Sequence, residues 1–501
     1  MRKIILLSLI ITLATSCSNQ KNKINYLNSA NGSLLDNDTC KLIDNYLTKL
    51  SQDKNFSGGL LIIKDGKQIL SKGYGWADKD NKIPFTPGTL ASMGSITKAF
   101  TATAIMKLVE QNKLSVEDSL IKFFPKIPAD KANITIHQLL THSSGFHEFL
   151  QQDGGDYEKI NTQDFLQRAF AEPLSFKPGE KAVYTNVGMS ILGIIIEQVS
   201  GIDYEEFLQK NLFDSAGIKK IGYRYPVSQE DTVAIGYQNG KSWGTIQQHF
   251  KQAGGGPYWN LKANGGLEVS LNDMYLWANS FTNHTILKEA TIQKMFMPHI
   301  QEEGYNGRSF FGYGCNISKS RCNTKMIDNG GSNGIYFARL IRLPEEGLVF
   351  YMVTNESSVN SNMVLPNVTQ LYFKQKIIDD GVTLKPKFEG ELSIKIYDIL
   401  LKPSTTDLGA ELKKENLKVE DDMILLEVGR NLMEEKKPEK AFILYTYYTQ
   451  TFPNIVVAWN DLGDIYQTQN NKNEALKCYR QALKIRPGNP RAKDNIDKLT
   501  K

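Results

Sequence analysis

Five cysteines and six histidines are few for 501 residues, and they do not cluster. His137, His142 and His147 sit five apart, a spacing that does not repeat one helix face. No Cys/His group has metal-ligand spacing, so neither a metal nor any other cofactor is expected. An excess of one charge is missing too. Lys and Arg number 59 against 54 Asp and Glu, spread without a basic stripe interleaved with aromatics, which argues against a nucleic-acid partner. The glycine clusters Gly254-Gly255-Gly256 and Gly265-Gly266 lack a following Gly-Lys-Ser/Thr, so turn chemistry explains them better than a phosphate cradle.

What is present begins with a leader. Arg2 and Lys3 precede an apolar run from Ile4 to Ala14, too short to span a bilayer, so residues 1–17 read as a secretory signal. Ala14-Thr15-Ser16-Cys17 resembles the bacterial lipoprotein box. That resemblance implies a lipidated mature N-terminus at Cys17; simple cleavage leaving a free thiol is the alternative. Residues 18–39 then form a tether, polar and lysine-bearing from Asn19 to Asn31. In an oxidising compartment Cys315 and Cys322, at the two ends of a hairpin tip, either pair or stay free.

The length predicts two to four domains. A first amphipathic helix is expected over Leu42 to Leu50, and the Asp65-Gly66 turn predicts a hairpin of Gly58–Lys64 with Lys67–Gly73. Gly94-Ser95-Ile96-Thr97-Lys98 then runs into the apolar-periodic Phe100, Ile105, Met106, Leu108 and Val109, which places Ser95 at the mouth of a helix. A hydroxyl there lies near converging backbone N–H groups that favour an oxyanion. Lys98, one turn deeper on the same face, would serve as base if burial lowered its pKa. Ser18/Lys21, Ser51/Lys54 and Ser119/Lys122 repeat the spacing without that setting.

Two further stretches supply partners. Tyr184 and Asn186 precede an apolar helix, Met189 to Val199, that ends at Gly201. From there they can aim a proton relay and an amide at one cleft, the amide meeting a substrate carbonyl or Lys98. The spacing recurs at Tyr26/Asn28 and Tyr258/Asn260, and a half-buried aromatic in a helix cap is the plainer reading of Tyr184. Asp328-Asn329-Gly330-Gly331-Ser332-Asn333-Gly334 leads into strands over Tyr336–Arg342 and Leu348–Thr354. Its glycines permit close approach of a substrate backbone, and the Gly331 amide is a candidate second oxyanion donor. His142 reads as a turn-capping residue, since no acid or nucleophile neighbours it in sequence.

Taken in order, Ser95-Ile96-Thr97-Lys98, Leu139-Leu140-Thr141-His142-Ser143-Ser144-Gly145, Tyr184-Thr185-Asn186 and Asp328 to Gly334 resemble the serine β-lactamase and penicillin-binding-protein superfamily, in its class C-like branch. The resemblance covers roughly residues 40 to 375. It implies an α+β fold, an antiparallel sheet of N- and C-terminal strands flanked by helices, over residues 40–380. It also implies Ser95 as acylated nucleophile, Lys98 as base, Tyr184 as relay or second base, and Asn186, Asp328, Gly330 and Gly331 as substrate contacts. The family pattern has Lys or His where this chain has Asp328, a carboxylate expected to repel a substrate carboxylate by about 1 kcal/mol in water and ~4 kcal/mol at an effective dielectric of 20.

After a linker over residues 381–420, residues 421–501 are expected to be all-helical. Leu425, Gly429, Ala441, Tyr445 and Pro453 return 34 residues later as Trp459, Gly463, Ala475, Tyr479 and Pro487, the tetratricopeptide period. Asp494 to Leu499 should cap one end and Leu392 to Leu401 or the preceding domain the other, leaving a groove for a protein partner or a stabilising appendage. Three functions follow from the whole: a lipid-anchored envelope serine hydrolase acting on an ester or amide, on the outer membrane and facing the periplasm; a catalytically silent binding protein; and a true β-lactamase or D-Ala-D-Ala carboxypeptidase.

Overall fold

The computed structural model describes residues 33–34, 38–373 and 391–500, apart from short interruptions at 152–153, 224–230, 239, 306, 321, 358, 360, 421 and 487–488. The leader, Cys17 and most of the tether lie outside the described residues, as does Pro487.

Nine strands make the central antiparallel sheet: β1 (Ser33–Leu34), β2 (Gly58–Lys64), β3 (Lys67–Tyr74), β4 (Ile300–Gln301), β5 (Ser309–Phe311), β6 (Asn316–Lys319), β7 (Lys325–Ser332), β8 (Phe337–Leu343) and β9 (Leu348–Thr354). Their order across the sheet is β1-β3-β2-β9-β8-β7-β6-β5-β4, so β2 from the start of the domain and β9 from its end lie side by side near the middle. The β2–β3 hairpin turns where expected, with Asp65 and Gly66 both at positive φ (49° and 74°).

Strands β2, β8 and β9 are apolar on both faces because helices cover both. Leu60, Ile62, Ile341, Phe350 and Met352 point to one core, packed by α1 (Asp38–Lys54) and the C-terminal helix of this domain, Ser361–Tyr372. Leu61, Ile63, Ala338, Leu340, Tyr351 and Val353 point to the other, larger core with α2 (Thr97–Glu110), α3 (Asn186–Ser200) and α4 (Leu271–Thr282). Phe100 of α2 stacks on Trp277 of α4 with ring centroids 3.9 Å apart. The glycine-rich Asp328–Ser332 segment, expected as a strand entry, lies inside β7 itself.

Cys315 and Cys322 are separate thiols, the first buried at the root of the β6–β7 hairpin and the second exposed at its tip. The segment expected as a linker carries two helices, Glu391–Leu401 and Leu408–Lys414. Ile396, Tyr397 and Leu400 of the first share one apolar core with Leu425, Leu444 and Ile465 of the repeats, so the helical module starts well before the recognisable repeat. At the far end Pro490–Thr500 caps it through Ala492, packed against Ala475 and Tyr479.

Candidate active site

Two glycines bring strand β7 against the turn that carries Ser95. Gly94 sits at φ +52°, and a Cβ built there would lie 2.5 Å from the Ser332 nitrogen. A Cβ on Gly331 would lie 2.0 Å from the Met93 oxygen and 2.8 Å from the Ser95 nitrogen. No larger residue fits either place, and the Ser332 nitrogen is brought against the Ser95 turn. The Gly331 N–H, expected as the second oxyanion donor, points instead into the ladder with β8, because N–H directions alternate along β7 from Asn333, which donates to the Tyr336 carbonyl. Ser95 itself lies in a single 3-10 turn, Gly94–Ile96, fastened by Thr97 Oγ1 donating to the Gly94 carbonyl at 2.7 Å and continuing into α2.

Lys98 follows one turn later and is 3 % exposed. Its Nζ lies 3.1 Å from Ser95 Oγ and donates to the Asn264 carbonyl at 2.6 Å. Burial lowers its pKa to about 7, against the weaker pull of Glu148 and Asp156 in the other direction. A neutral amine held by Asn264 keeps its lone pair for the Ser95 proton. Tyr184 completes the group: Nζ lies 4.7 Å from the centre of its ring, and the Ser95 hydroxyl is near enough to act on its phenol. Burial pushes that phenol up, so near neutrality it stays protonated and acts as a donor rather than a phenolate base.

Asn186 opens α3 behind a Thr185 cap, whose hydroxyl accepts from Gly188 N–H at 3.1 Å. Its Oδ1 is buried and has no partner, and the expected bond to Lys98 is not formed; Asn264 occupies that place. Asn186 lines a small recess with Glu148, Ser190 and Asn264. His142 neighbours the site. Its ring packs 4.9 Å from that of Tyr184, and Nδ1 accepts the Thr185 N–H at 3.2 Å. Burial holds the imidazole down at about 3, with the Lys98 charge a smaller cause, so it is a neutral acceptor that shapes the Tyr184–Asn186 turn, in line with the capping role expected of it.

Asp328 stands on the other face of β7. Its register partner Ile341 belongs to the far core, whereas Gly331 pairs with Ala338 of the near one. Arg339 grips the carboxylate with two bonds, Nε to Oδ1 at 3.1 Å and Nη2 to Oδ2 at 2.7 Å. The bare anion expected in the cleft is thus an ion pair turned away from it. Strand β6 pairs with β7 only as far as Asp328, so the edge of Gly330–Ser332 opposite β8 is left without a strand among the described residues. Gly330 is exposed there, and a Cβ added to it would meet nothing within 4 Å.

Sequence reasoning missed Asn264 and Arg339. A signal for the first was present in the two glycine clusters around it: the loop they bracket is clamped between helices, with the Ala263 carbonyl accepting from Thr101 Oγ1 at 2.6 Å and Ala263 Cβ 2.4 Å from where a Cβ of Gly193 would be. Arg339 carried no signal, because only strand register sets it beside Asp328.

This fold, with a serine and a lysine one helical turn apart facing a tyrosine, is that of the β-lactamase and penicillin-binding-protein class. The model of the Beta-lactamase family matches residues 43–370, and the chain belongs to that family; a tetratricopeptide repeat matches residues 456–489. The chain is similar to the Bacillus subtilis (strain 168) protein PbpX, which is named as a putative penicillin-binding protein, at 29 % identity over 256 residues, 51 % of this chain and 61 % of the relative. It thus spans under two thirds of that relative's length. Among solved structures, the octameric penicillin-binding protein homologue from Pyrococcus abyssi superposes with a TM-score of 0.59 at 27 % identity, covering 72 % of this chain and 81 % of the other. A penicillin-binding protein from Bacillus halodurans gives 0.52 at 28 %, covering 62 % and 95 %.

Proposed function

We propose that the chain is a serine hydrolase that cleaves an ester or amide through an acyl-enzyme on Ser95. Lys98 takes the Ser95 proton as Oγ adds to the substrate carbonyl carbon, and the oxyanion forms against the amides of Ser95 and Ser332. The leaving group departs with a proton passed from Lys98 by way of the Tyr184 hydroxyl. Water, deprotonated by the same lysine, then adds to the acyl carbon and releases Ser95 with its proton restored. The observation that carries this reading is the 3.1 Å approach of Lys98 Nζ to Ser95 Oγ with the amine held at about 7. A silent binding protein has no need of a buried lysine tuned in that way.

The substrate class follows from the strand edge. The family's usual Lys or His gives way to Asp328, whose charge is met by Arg339 on the far face, so β7 offers a substrate carboxylate no cation at this position. This favours esters and amides that are neutral there over penicillins and D-Ala-D-Ala peptides, and Asn186 is assigned to the substrate carbonyl. Cys17 is assigned as a lipid anchor to the bacterial envelope, at the periplasmic face of the outer membrane, and the repeats as a groove for a protein partner.

The test is intact-mass and peptide mass spectrometry of the soluble protein from Ser18 onward, after exposure to a fluorophosphonate and, separately, to benzylpenicillin. An adduct on Ser95 with the phosphonate alone is expected. Adducts with both would move the reading to a β-lactamase or carboxypeptidase, and none with either would overturn hydrolysis altogether.

A further inference from the structure

Behind the catalytic helix, away from Ser95, lies a small cavity open at its mouth, with Ala99 and Thr103 of α2 on one side, Trp277 and Phe281 of α4 on another, and Asn329 and Arg342 from the sheet. Arg342 points into the larger core from β8 and is 7 % exposed. Its guanidinium donates from Nη1 to the Ala278 carbonyl at 3.0 Å and lies over the face of Phe281, 4.7 Å from Cζ to the ring centre. Among the described residues no carboxylate pairs with it. Asn329, beside it, already spends its amide on the Gly314 carbonyl at 2.6 Å.

A guanidinium carries five N–H donors and stays charged. Burying such a cation without a counter-ion costs several kcal/mol. The Phe281 ring and the carbonyl near the end of α4 offset part of that. The guanidinium lines this cavity, whose exposed walls are largely apolar and whose space suits a water or a small ion, far short of the ~300 Å³ of an ordinary metabolite pocket. Burial lowers the guanidinium to about 10, the direction expected of a cation short of negative charge.

We propose that this cavity is a binding site for one small monovalent anion, of halide or formate size, seated on Arg342. The anion would complete the hydrogen bonding of the guanidinium and brace α2 against β7 and β8 from behind, independently of any reaction at Ser95.

The test uses the full chain, with bromide as probe. At constant ionic strength, replacing gluconate by bromide should raise the melting temperature saturably, by about 4 °C at a hundredfold excess over Kd. The Arg342→Met variant should lose that saturable part. Should the variant not fold, anomalous diffraction from wild-type crystals grown in bromide decides. A bromide peak within hydrogen-bond distance of Arg342 is expected; water alone in the cavity, or an equal response in Arg342→Met, would overturn the proposal.

Discussion

Gly331 and Gly463 are both glycines into whose missing side chain a neighbour has moved, and they show how differently the two halves of this chain are built. At Gly331 the intruders are backbone atoms, the Met93 carbonyl and the Ser95 amide, which cannot turn aside. At Gly463 the intruder is the ring of Tyr479, 2.6 Å from where a Cβ would stand, and Gly429 meets Tyr445 at the same 2.6 Å one repeat earlier. The sheet domain uses the close approach at Gly331 to set polar groups around a serine. The helical module uses its pair in the same way twice, as a packing unit whose stability adds along the array. Ionisable groups divide likewise. Lys98 and His142 are buried around the site with their charged forms disfavoured, while in the module Arg491 pairs with Asp461 at 2.7 Å near the surface.

Lys98→Met breaks this contrast most sharply. Turnover should fall by about 10³-fold or more, as for loss of a base that also orients the nucleophile, while stability rises. The lysine has a folded pKa of about 7 against 10.5 unfolded, so the unfolded chain binds the proton more tightly. That penalty, on the order of 5 kcal/mol, is fully present below pH 7, shrinks between 7 and 10.5, and is gone above. Wild-type stability should therefore climb relative to the variant as pH rises from 6 to 10. Chemical denaturation at several pH values checks this, and a variant less stable than wild type at pH 6 would count against a lysine of lowered pKa. Acylation of the wild type should rise with pH through the same inflection near 7.

Gly331→Ala comes next. A methyl 2.0 Å from the Met93 oxygen must push β7 away from the Ser95 turn. Overpacking of this kind costs about 1–3 kcal/mol, and carrying the adjoining Ser332 amide away from the serine as an oxyanion donor lowers kcat by about 10²-fold. Steady-state kinetics with a neutral ester, beside a thermal melt, reads both. A loss of stability with kcat untouched would leave Gly331 as packing only.

These residues differ in how far the sequence revealed them. Ser95, Lys98 and Tyr184 were legible because a small-residue turn followed by helical periodicity fixes where a serine and a lysine one turn apart must point, and the order of the motifs adds the tyrosine. The α+β sheet was legible through the resemblance those motifs carry, with the Asp65-Gly66 turn marking only its first hairpin, and the repeat from its 34-residue period. Asn264 and Arg339 were not. Each acts through a contact between elements apart in sequence, Asn264 with Lys98 across 166 residues and Arg339 with Asp328 across the β7–β8 register. The glycine clusters around Asn264 marked a tight loop, but local pattern carries no record of what such residues pair with. The same blindness hid the helix at Leu408–Lys414, which has no repeat signature; Leu392 to Leu401, expected as one of two candidates to close the near end of the repeats, does share their core.

The smallest expected effect sharpens the comparison from the other side. In Gly463→Ala the new methyl would lie 2.6 Å from Cε1 of Tyr479, but a ring can tilt where a carbonyl cannot. The repeat helix that carries it, Val456–Thr468, also gains about 1 kcal/mol of intrinsic propensity from Ala over Gly. Set against an overpacking cost of about 1–3 kcal/mol, the net loss should be about 1 kcal/mol and confined to the helical module. Gly429→Ala should add a similar loss, since the two repeats use the same contact, and neither change should alter turnover at Ser95. Thermal melts of the single and double variants, with esterase kinetics alongside, measure this. Arg486 of the module already pairs with Glu148 of the Asn186 recess, so a fall in kcat for Gly463→Ala would mean that repeat packing is felt through that contact, and the two halves would then have to be treated as one machine.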